Sequence, residues 1–272
     1  MRIDGHTKLT GIIGYPVRHS LSPLMHNSAF ESLGLNYCYV PMEVPPELLK
    51  DAISGLRALG FVGVNVTVPH KERVLEYLDE LSEEARFIGA VNTIHIKDGK
   101  LKGYNTDAGG FIRSLKEEGI LPEAREVFLA GAGGASKAVA FGLCGVCSKL
   151  YIYNRTTEKA ETLAEKLRQR GCTVEVLKSP EVPEGVSLVI NATSLGLKED
   201  DPLPMDVNTL IKGQVVYDLI YKETPLLKEA SRRGLRAIDG SGMLLWQAVA
   251  AFRIWTGQEP PVEVMRAALR KR

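Results

Sequence analysis

Apolar and polar positions change period several times along the chain, and each change predicts an element. KLTGIIG reads as a strand. Ser22-Pro23 then opens a helix that runs to about Gly34, with serine as N-cap, proline at the first helical position and glycine at the stop. YCYVPMEV is a strand, PPELLKDAISGLRALG an amphipathic helix closed by Gly60, and FVGVNVTV a strand that ends at Pro69. KERVLEYLDELSEEA predicts a polar helix, and VNTIHIKDGKLKGYN a hairpin turning at Asp98-Gly99. From Thr106 the rhythm changes. The helix TDAGGFIRSLKEEG, strand EVFLAG, helix ASKAVAFGLCGVCS, strand KLYIYN and helix TEKAETLAEKLRQRG alternate. TVEVL, VSLVINAT and QVVYDLIY read as strands, followed by the helix TPLLKEASRRG and the short strand RAIDG. Strands alternating with helices predict parallel βαβ units in a doubly wound sheet. SGMLLWQAVAAFRIWTG and PPVEVMRAALRKR are two further helices. The expectation is an α/β fold of two α/β domains, residues 1–106 with a mainly parallel sheet and residues 107–239. The helices of residues 240–272 are expected to pack back on the first domain, with a cleft between the two.

Composition narrows the class. The 272 residues carry 34 Lys plus Arg against 33 Asp plus Glu, a net charge of +1, which argues against a nucleic-acid or anionic-membrane partner. Apolar residues make up 44% of the chain, enough for two cores, with no apolar run long enough to span a bilayer. MRIDGHTKLTG lacks the apolar stretch of a signal peptide. A reduced, cytoplasmic setting is expected, and four cysteines fit it. Cys144 and Cys147 form one CxxC, read either as a metal or redox pair or as two small apolar residues on a buried helix; the apolar surroundings favour the second.

EVFLAGAGGASKAVA is the strongest local motif. Gly131, Ala132, Gly133, Gly134 and Ala135 form a turn between a buried strand and a helix, with Ser136 at the last glycine position of GxGxxG. Glycine allows the tight turn and lets a pyrophosphate approach the backbone, while the helix start offers N–H groups and partial positive charge. Alone the string also suits a plain tight turn; placed at the head of a βαβ unit it points to a Rossmann-like dinucleotide site. Units that bind NAD usually carry an acid at the end of the next strand, to hold the ribose 2′-OH. Here that strand ends in Asn154, Arg155 and Thr156, with Lys159 beyond. Arg155 suits an adenine face or a 2′-phosphate, which predicts NADP; it is also readable as an exposed arginine at a helix start.

A second group of polar residues sits at strand ends. In NVTVPHK, alternation puts Asn65 and Thr67 on one face, and Lys71 follows Pro69. Lysine is a compact donor whose charge can be removed by desolvation, so it can give and take a proton; position alone favours the plainer reading of Lys71 as a solvated helix-start lysine. Ser20 and Ser22 in HSLSP supply two hydroxyls beside a helix start, which suits a carboxylate or simple capping. Asn92 begins a strand, and Asp107 starts a helix at the domain seam, where capping is its ordinary role. The five histidines show no metal-ligand spacing, and no metal site is read.

SLSP, NVTVPHK, AVNT, GYNTD, GxGGAS, NRT, NATSLG and GMLLWQA occur in the order and at the spacing of the shikimate dehydrogenase family. The chain resembles that family from about Lys8 to the last helices. NVTVPHK followed by GYNTD is highly specific, whereas GxGGAS is not. The resemblance implies reversible reduction of 3-dehydroshikimate to shikimate with NADPH, on the route to chorismate and aromatic amino acids. It implies a substrate domain over residues 1–106 and an NADP domain over residues 107–239. By the same resemblance Lys71 and Asp107 are the catalytic pair, and Ser20 and Ser22 bind the substrate carboxylate. Asn65, Thr67, Asn92 and Gln247 hold ring hydroxyls, with Tyr221 close to the substrate. Gly131 to Ala135, Asn154, Arg155, Thr156 and Lys159 match the NADP site, together with Thr193 in NATSLG and Met243 beside the nicotinamide. Trp246 before Gln247 is a small difference, and none falls at a catalytic position. A quinate/shikimate dehydrogenase of broader substrate use is the alternative. A methylenetetrahydrofolate dehydrogenase would not need SLSP and NVTVPHK, and a non-catalytic NADP-sensing module would lack the Lys71 and Asp107 pair. A small-molecule substrate is the expected partner, and a homodimer is left open.

Overall fold

A computed structural model describes residues 3–270 of the chain. Its residues group into two units: one takes the chain up to Thr106 and again from Leu245 onward, the other Asp107–Leu244.

The first unit is built on β1 (Lys8–Gly14), α1 (Ser22–Ser32), β2 (Tyr37–Glu43), α2 (Leu49–Ala58), β3 (Gly63–Val66), β4 (Glu80–Leu81), α3 (Glu83–Ile88), β5 (Thr93–Lys97) and β6 (Lys100–Tyr104). Its sheet runs β2-β1-β3-β5-β6-β4. β1 lies parallel to both β2 and β3, in a register that sets Tyr39 beside Thr10 and Ile12 beside Asn65. β5 and β6 add an antiparallel hairpin to β3, and β4 joins β6 in parallel. The hairpin turns at Asp98 and Gly99, both at positive φ (51° and 73°), the geometry that matches the twist of two flanking strands. One face of the sheet buries Ile13, Leu49, Ile53, Val64, Val66, Ile94 and Leu101.

Two segments of this unit differ from the sequence reading. Ser22 is the first residue of α1 and makes no side-chain cap; instead its N–H donates to Ser20 Oγ at 3.3 Å. KERVLEYLDELSEEA does not form one helix. It makes a 3-10 turn (Arg73–Tyr77), then β4, then α3 capped by the Ser82 hydroxyl. Long-range pairing wins over local propensity here. The Asp79 N–H donates to the Leu101 carbonyl, the Leu101 N–H donates to the Asp79 carboxylate, and the Ser82 N–H donates to Gly103.

The second unit contains α4 (Asp107–Glu117), β7 (Glu126–Ala130), α5 (Gly134–Leu143), β8 (Lys149–Tyr153), α6 (Thr157–Arg168), β9 (Val174–Leu177), β10 (Val186–Asn191), β11 (Val215–Asp218), α7 (Pro225–Arg232) and β12 (Arg236–Ile238). Its sheet runs β12-β11-β10-β7-β8-β9, with parallel pairing throughout. In order of the strands within the unit this is 6-5-4-1-2-3, the doubly wound Rossmann arrangement. Phe128, Ala130, Val189, Val216, Leu226 and Ala230 lie in its core.

α8 (Ser241–Thr256) starts in the second unit and continues into the first, and α9 (Val262–Arg270) packs on α1. In the first unit Phe252 of α8 stacks on Phe30 at 5.1 Å, and the Trp255 indole N–H donates to the Ile94 carbonyl at 2.9 Å. Gly63 makes room for that bond: a Cβ there would strike both the indole and the Ile94 carbonyl.

The cysteines correct the sequence reading. Cys144, at the end of α5, pairs with Cys172 just before β9 as a disulfide, their Cα atoms 5.4 Å apart. Cys38 and Cys147 are free thiols, so the CxxC spacing joins nothing. Among the described residues no helix is long and apolar enough to cross a membrane.

Candidate active site

In the first unit, polar side chains gather where β3 and β5 meet. Asn65, Asn92, Thr93, Asn105, Thr106 and Gln247 are all buried. Each finds polar partners, as a desolvated amide or hydroxyl must. The Asn65 amide donates to the Asn92 carbonyl and to Thr93 Oγ1, both at 3.1 Å. The Asn92 amide donates to Thr106 Oγ1 at 2.8 Å and to Gln247 Oε1 at 3.4 Å, while its oxygen accepts the Thr106 N–H at 2.7 Å. Asn105 donates to the Ala90 carbonyl.

Thr67 lies one residue past the end of β3, half-buried, with its N–H on the Ile13 carbonyl. Gly14 is small because a Cβ there would strike the Thr67 methyl. His70, unassigned in the sequence reading, is fully buried and holds this strand exit in place. Its backbone N–H donates to Thr67, and Nε2 lies 2.7 Å from the Val44 carbonyl, which fixes the proton on that nitrogen. Lys71 follows, half-buried, and its carbonyl accepts the Val91 N–H at 2.8 Å. The dipeptide Val91-Asn92 thus ties down both the Lys71 backbone and Thr106, the residue before Asp107. Asp107 itself is buried and is the first residue of α4. Ser20 is half-buried beside Ser22, which is 3% exposed and hydrogen-bonds through its side chain to Tyr39.

In the second unit, the glycine turn leaves β7 with Gly131 at φ 115°. A Cβ at Gly131 would sit 2.5 Å from Ser136 Oγ and 3.0 Å from the Ala192 carbonyl, so the turn admits only glycine. Ser136 uses its hydroxyl to hold the end of β10, donating to Ala192 at 2.9 Å. α5 begins after Gly133 with no capping side chain, which leaves the first-turn N–H groups around Gly134 and Ala135 to an anion. Ala132 is buried, and the Gly131 N–H donates to the Tyr153 carbonyl at 2.7 Å, placing the end of β8 beside the turn. There Asn154 donates to the Thr156 carbonyl, and α6 also starts without a side-chain cap. Arg155 and Lys159 are exposed and make no ion pair among the described residues. A turn only glycine can make, an uncapped helix start, and the exposed cations Arg155 just past β8 and Lys159 in the first turn of α6 fit a phosphorylated dinucleotide.

The ends of β10 and β11 carry residues that sequence reasoning missed. Asn191 is buried, accepts from the Thr193 N–H and hydroxyl, and donates to Leu195 and to Asp218. Asp218 accepts further bonds from the Ile220 N–H and the Thr224 hydroxyl. Burial raises its carboxyl above the usual range, against the pull of those donors. This pair shapes the loop holding Thr193 and the segment running to the half-buried Tyr221. Met243 is buried, and its N–H bonds the Tyr217 hydroxyl, which also meets Ser114 at 2.8 Å. A strand-terminal Asn or Asp in an apolar run, as in VINAT and VVYDL, is the signal that would have flagged Asn191 and Asp218.

Comparison with known proteins gives the family. Residues 12–94 match the shikimate dehydrogenase substrate binding domain profile, 117–196 the shikimate / quinate 5-dehydrogenase profile and 240–270 the shikimate 5'-dehydrogenase C-terminal domain profile. A shikimate dehydrogenase (NADP(+)) of Rubrobacter xylanophilus is 50% identical, over 98% of this chain and 97% of its own. The crystal structure of shikimate dehydrogenase from Aquifex aeolicus superposes with a TM-score of 0.93 at 45% identity, covering 99% and 100% of the two chains. Quinate dehydrogenase from Corynebacterium glutamicum, in complex with NAD, gives 0.88 at 35% identity over 98% and 99%.

Proposed function

The chain belongs to the shikimate dehydrogenase family, and from that premise we propose that it is an NADP-dependent oxidoreductase reversibly reducing 3-dehydroshikimate to shikimate, on the route to chorismate and aromatic amino acids. The observation that carries the reading is the buried cluster of Asn65, Asn92, Thr106 and Gln247, packed where the backbone of Lys71 is anchored. Amides and hydroxyls held dry at a strand end suit a ring with several hydroxyls. Ser20 and Ser22 receive its carboxylate, and Asn65, Thr67, Asn92, Gln247 and Tyr221 its ring oxygens.

NADPH supplies the hydride when bound, held by Gly131 to Ala135, Asn154, Arg155, Thr156, Lys159, Thr193 and Met243. Reduction of a ketone leaves negative charge on its oxygen. Lys71 stabilises that charge and delivers the proton, and Asp107 orients the lysine and takes a hydrogen bond from a neighbouring hydroxyl. In the oxidative direction Lys71 accepts the proton. The reading extends to a cytoplasmic location and to a homodimer as the assembly to test by light scattering.

Quinate is the nearest rival substrate, favoured by the likeness to the quinate dehydrogenase. Against its use with NAD stands Arg155, at the strand end where NAD-binding units usually place an acid. Absorbance at the NADPH band, followed with shikimate, with quinate and with NAD in place of NADP, tests the reading. Fast reduction of NADP by shikimate alone supports it; preferential oxidation of quinate with NAD overturns it.

A further inference from the structure

Tyr39 lies in the middle of β2 and is 1% exposed, yet sequence and family comparison alike leave it without a role. Its backbone is bracketed by Asn27, whose amide donates to the Tyr39 carbonyl at 2.9 Å and whose oxygen accepts the Tyr39 N–H at 2.8 Å. Its ring stacks on His26 at 4.5 Å. The phenol therefore cannot drift, and it reaches over β1 to Asn65 Oδ1 at 2.7 Å.

The direction of that bond is forced. The amide nitrogen of Asn65 must face the Asn92 carbonyl, because an oxygen there would meet another acceptor. Asn65 Oδ1 then faces Tyr39, and the phenol must donate. Burial holds that phenol well above its ordinary titration range, so its proton stays in place at any working pH. Ser22, the other partner of the phenol, donates into its oxygen. Both amide protons of Asn65 are engaged, by Asn92 and by Thr93. Its oxygen has two lone pairs, and Tyr39 takes one.

We infer that Tyr39 is a positioning residue for substrate selection: with both amide protons of Asn65 engaged by Asn92 and Thr93, the Tyr39 hydroxyl locks Oδ1 in place with one lone pair left for substrate, so Asn65 takes a hydroxyl of the ring and rejects a keto or deoxy carbon at that place. The inference rests on the reading of Asn65 and Ser22 as substrate contacts. It assigns a polarity, acceptor toward substrate, to a residue that could in principle do either.

Steady-state kinetics with shikimate and NADP on the wild type, Tyr39→Phe, Asn65→Ala and the double variant test it, with thermal midpoints recorded for each. Tyr39→Phe keeps the stacked ring and removes the donor. The expected result is a rise in KM for shikimate of about three- to tenfold, one hydrogen bond's worth, with kcat within about twofold of the wild type and KM for NADP unchanged. In the Asn65→Ala background the same change adds little, because the phenol acts through Asn65. An unchanged KM in Tyr39→Phe, or costs that multiply in the double variant, overturns the inference while leaving the function standing. A wild type inactive on shikimate overturns the function and the inference with it. Should Tyr39→Phe not fold, Thr93→Val serves: it frees one Asn65 amide proton, so the kcat/KM ratio for shikimate over a deoxy analogue falls by about threefold or more, and an unchanged ratio overturns the inference.

Discussion

Lys71 is tied to the fold through its backbone, by the bond from the Val91 N–H, so its side chain can be removed without cutting that tie. Lys71→Ala is expected to lower kcat by about a hundredfold or more, the scale of general acid–base help, with a thermal midpoint near that of the wild type. Asp107→Asn should lose a similar factor. Stopped assays with shikimate and NADP check both, and wild-type turnover in either variant removes that residue from the chemistry. Arg155 is exposed just past β8, so Arg155→Ser tests cofactor choice with little risk to folding. The ratio of kcat/KM for NADP over NAD should fall about tenfold, the loss of one charge-assisted hydrogen bond. The sequence proposes these residues because each sits inside a short local string. Tyr39 has no such string. In YCYVPMEV the tyrosine looks like any strand aromatic, and its partner is two strands away, across a register that only folding sets.

At the scale of elements, the glycine turn makes the sharpest demand. Gly131→Ala would force a side chain to a positive φ and press its Cβ on Ser136 and Ala192. The expected outcome is weaker NADPH binding, read by fluorescence titration, and a loss of about 1–3 kcal/mol in unfolding free energy; wild-type affinity would show that the turn does not cradle the cofactor. The parallel second sheet was readable in advance from the first two βαβ units, where α5 and α6 give periodic helices between apolar strands. The hairpin at Asp98-Gly99 was readable from two residues. The stretch after Lys71 was not. Its helical spacing is genuine, but β6 offers Asp79 and Ser82 backbone partners more than a dozen residues away, and a periodicity argument sees only neighbours.

Across the whole first unit, aromatic burial around α1 sets a pH limit on stability. His26 is fully buried, stacked on Tyr39 and near Trp255, with neither ring nitrogen hydrogen-bonded. Desolvation pushes its pKa down to about 3 from 6.5. The folded state holds the neutral ring, so its contribution is complete above the unfolded value and is lost as pH falls from there toward 3. By pH 5 the loss is about 2 kcal/mol. Denaturant unfolding at pH 7 and pH 5 should show that difference in the wild type and a smaller one in His26→Phe; equal slopes would mean the imidazole finds a partner in solution.

The Trp255–Ile94 bond and the packing of α9 on α1 also impose an order on synthesis. The strands of the first unit leave the ribosome early, but the helices that cover Phe30 and shield Gly63 are translated only after the entire second unit. During that interval the nascent chain carries a finished Rossmann sheet and a half-clad neighbour whose aromatic face meets water. A chain stopped after Leu244 would remain in that state, binding apolar dyes and clumping while its glycine turn still took up NADPH. The late helices therefore act as a seal over that face.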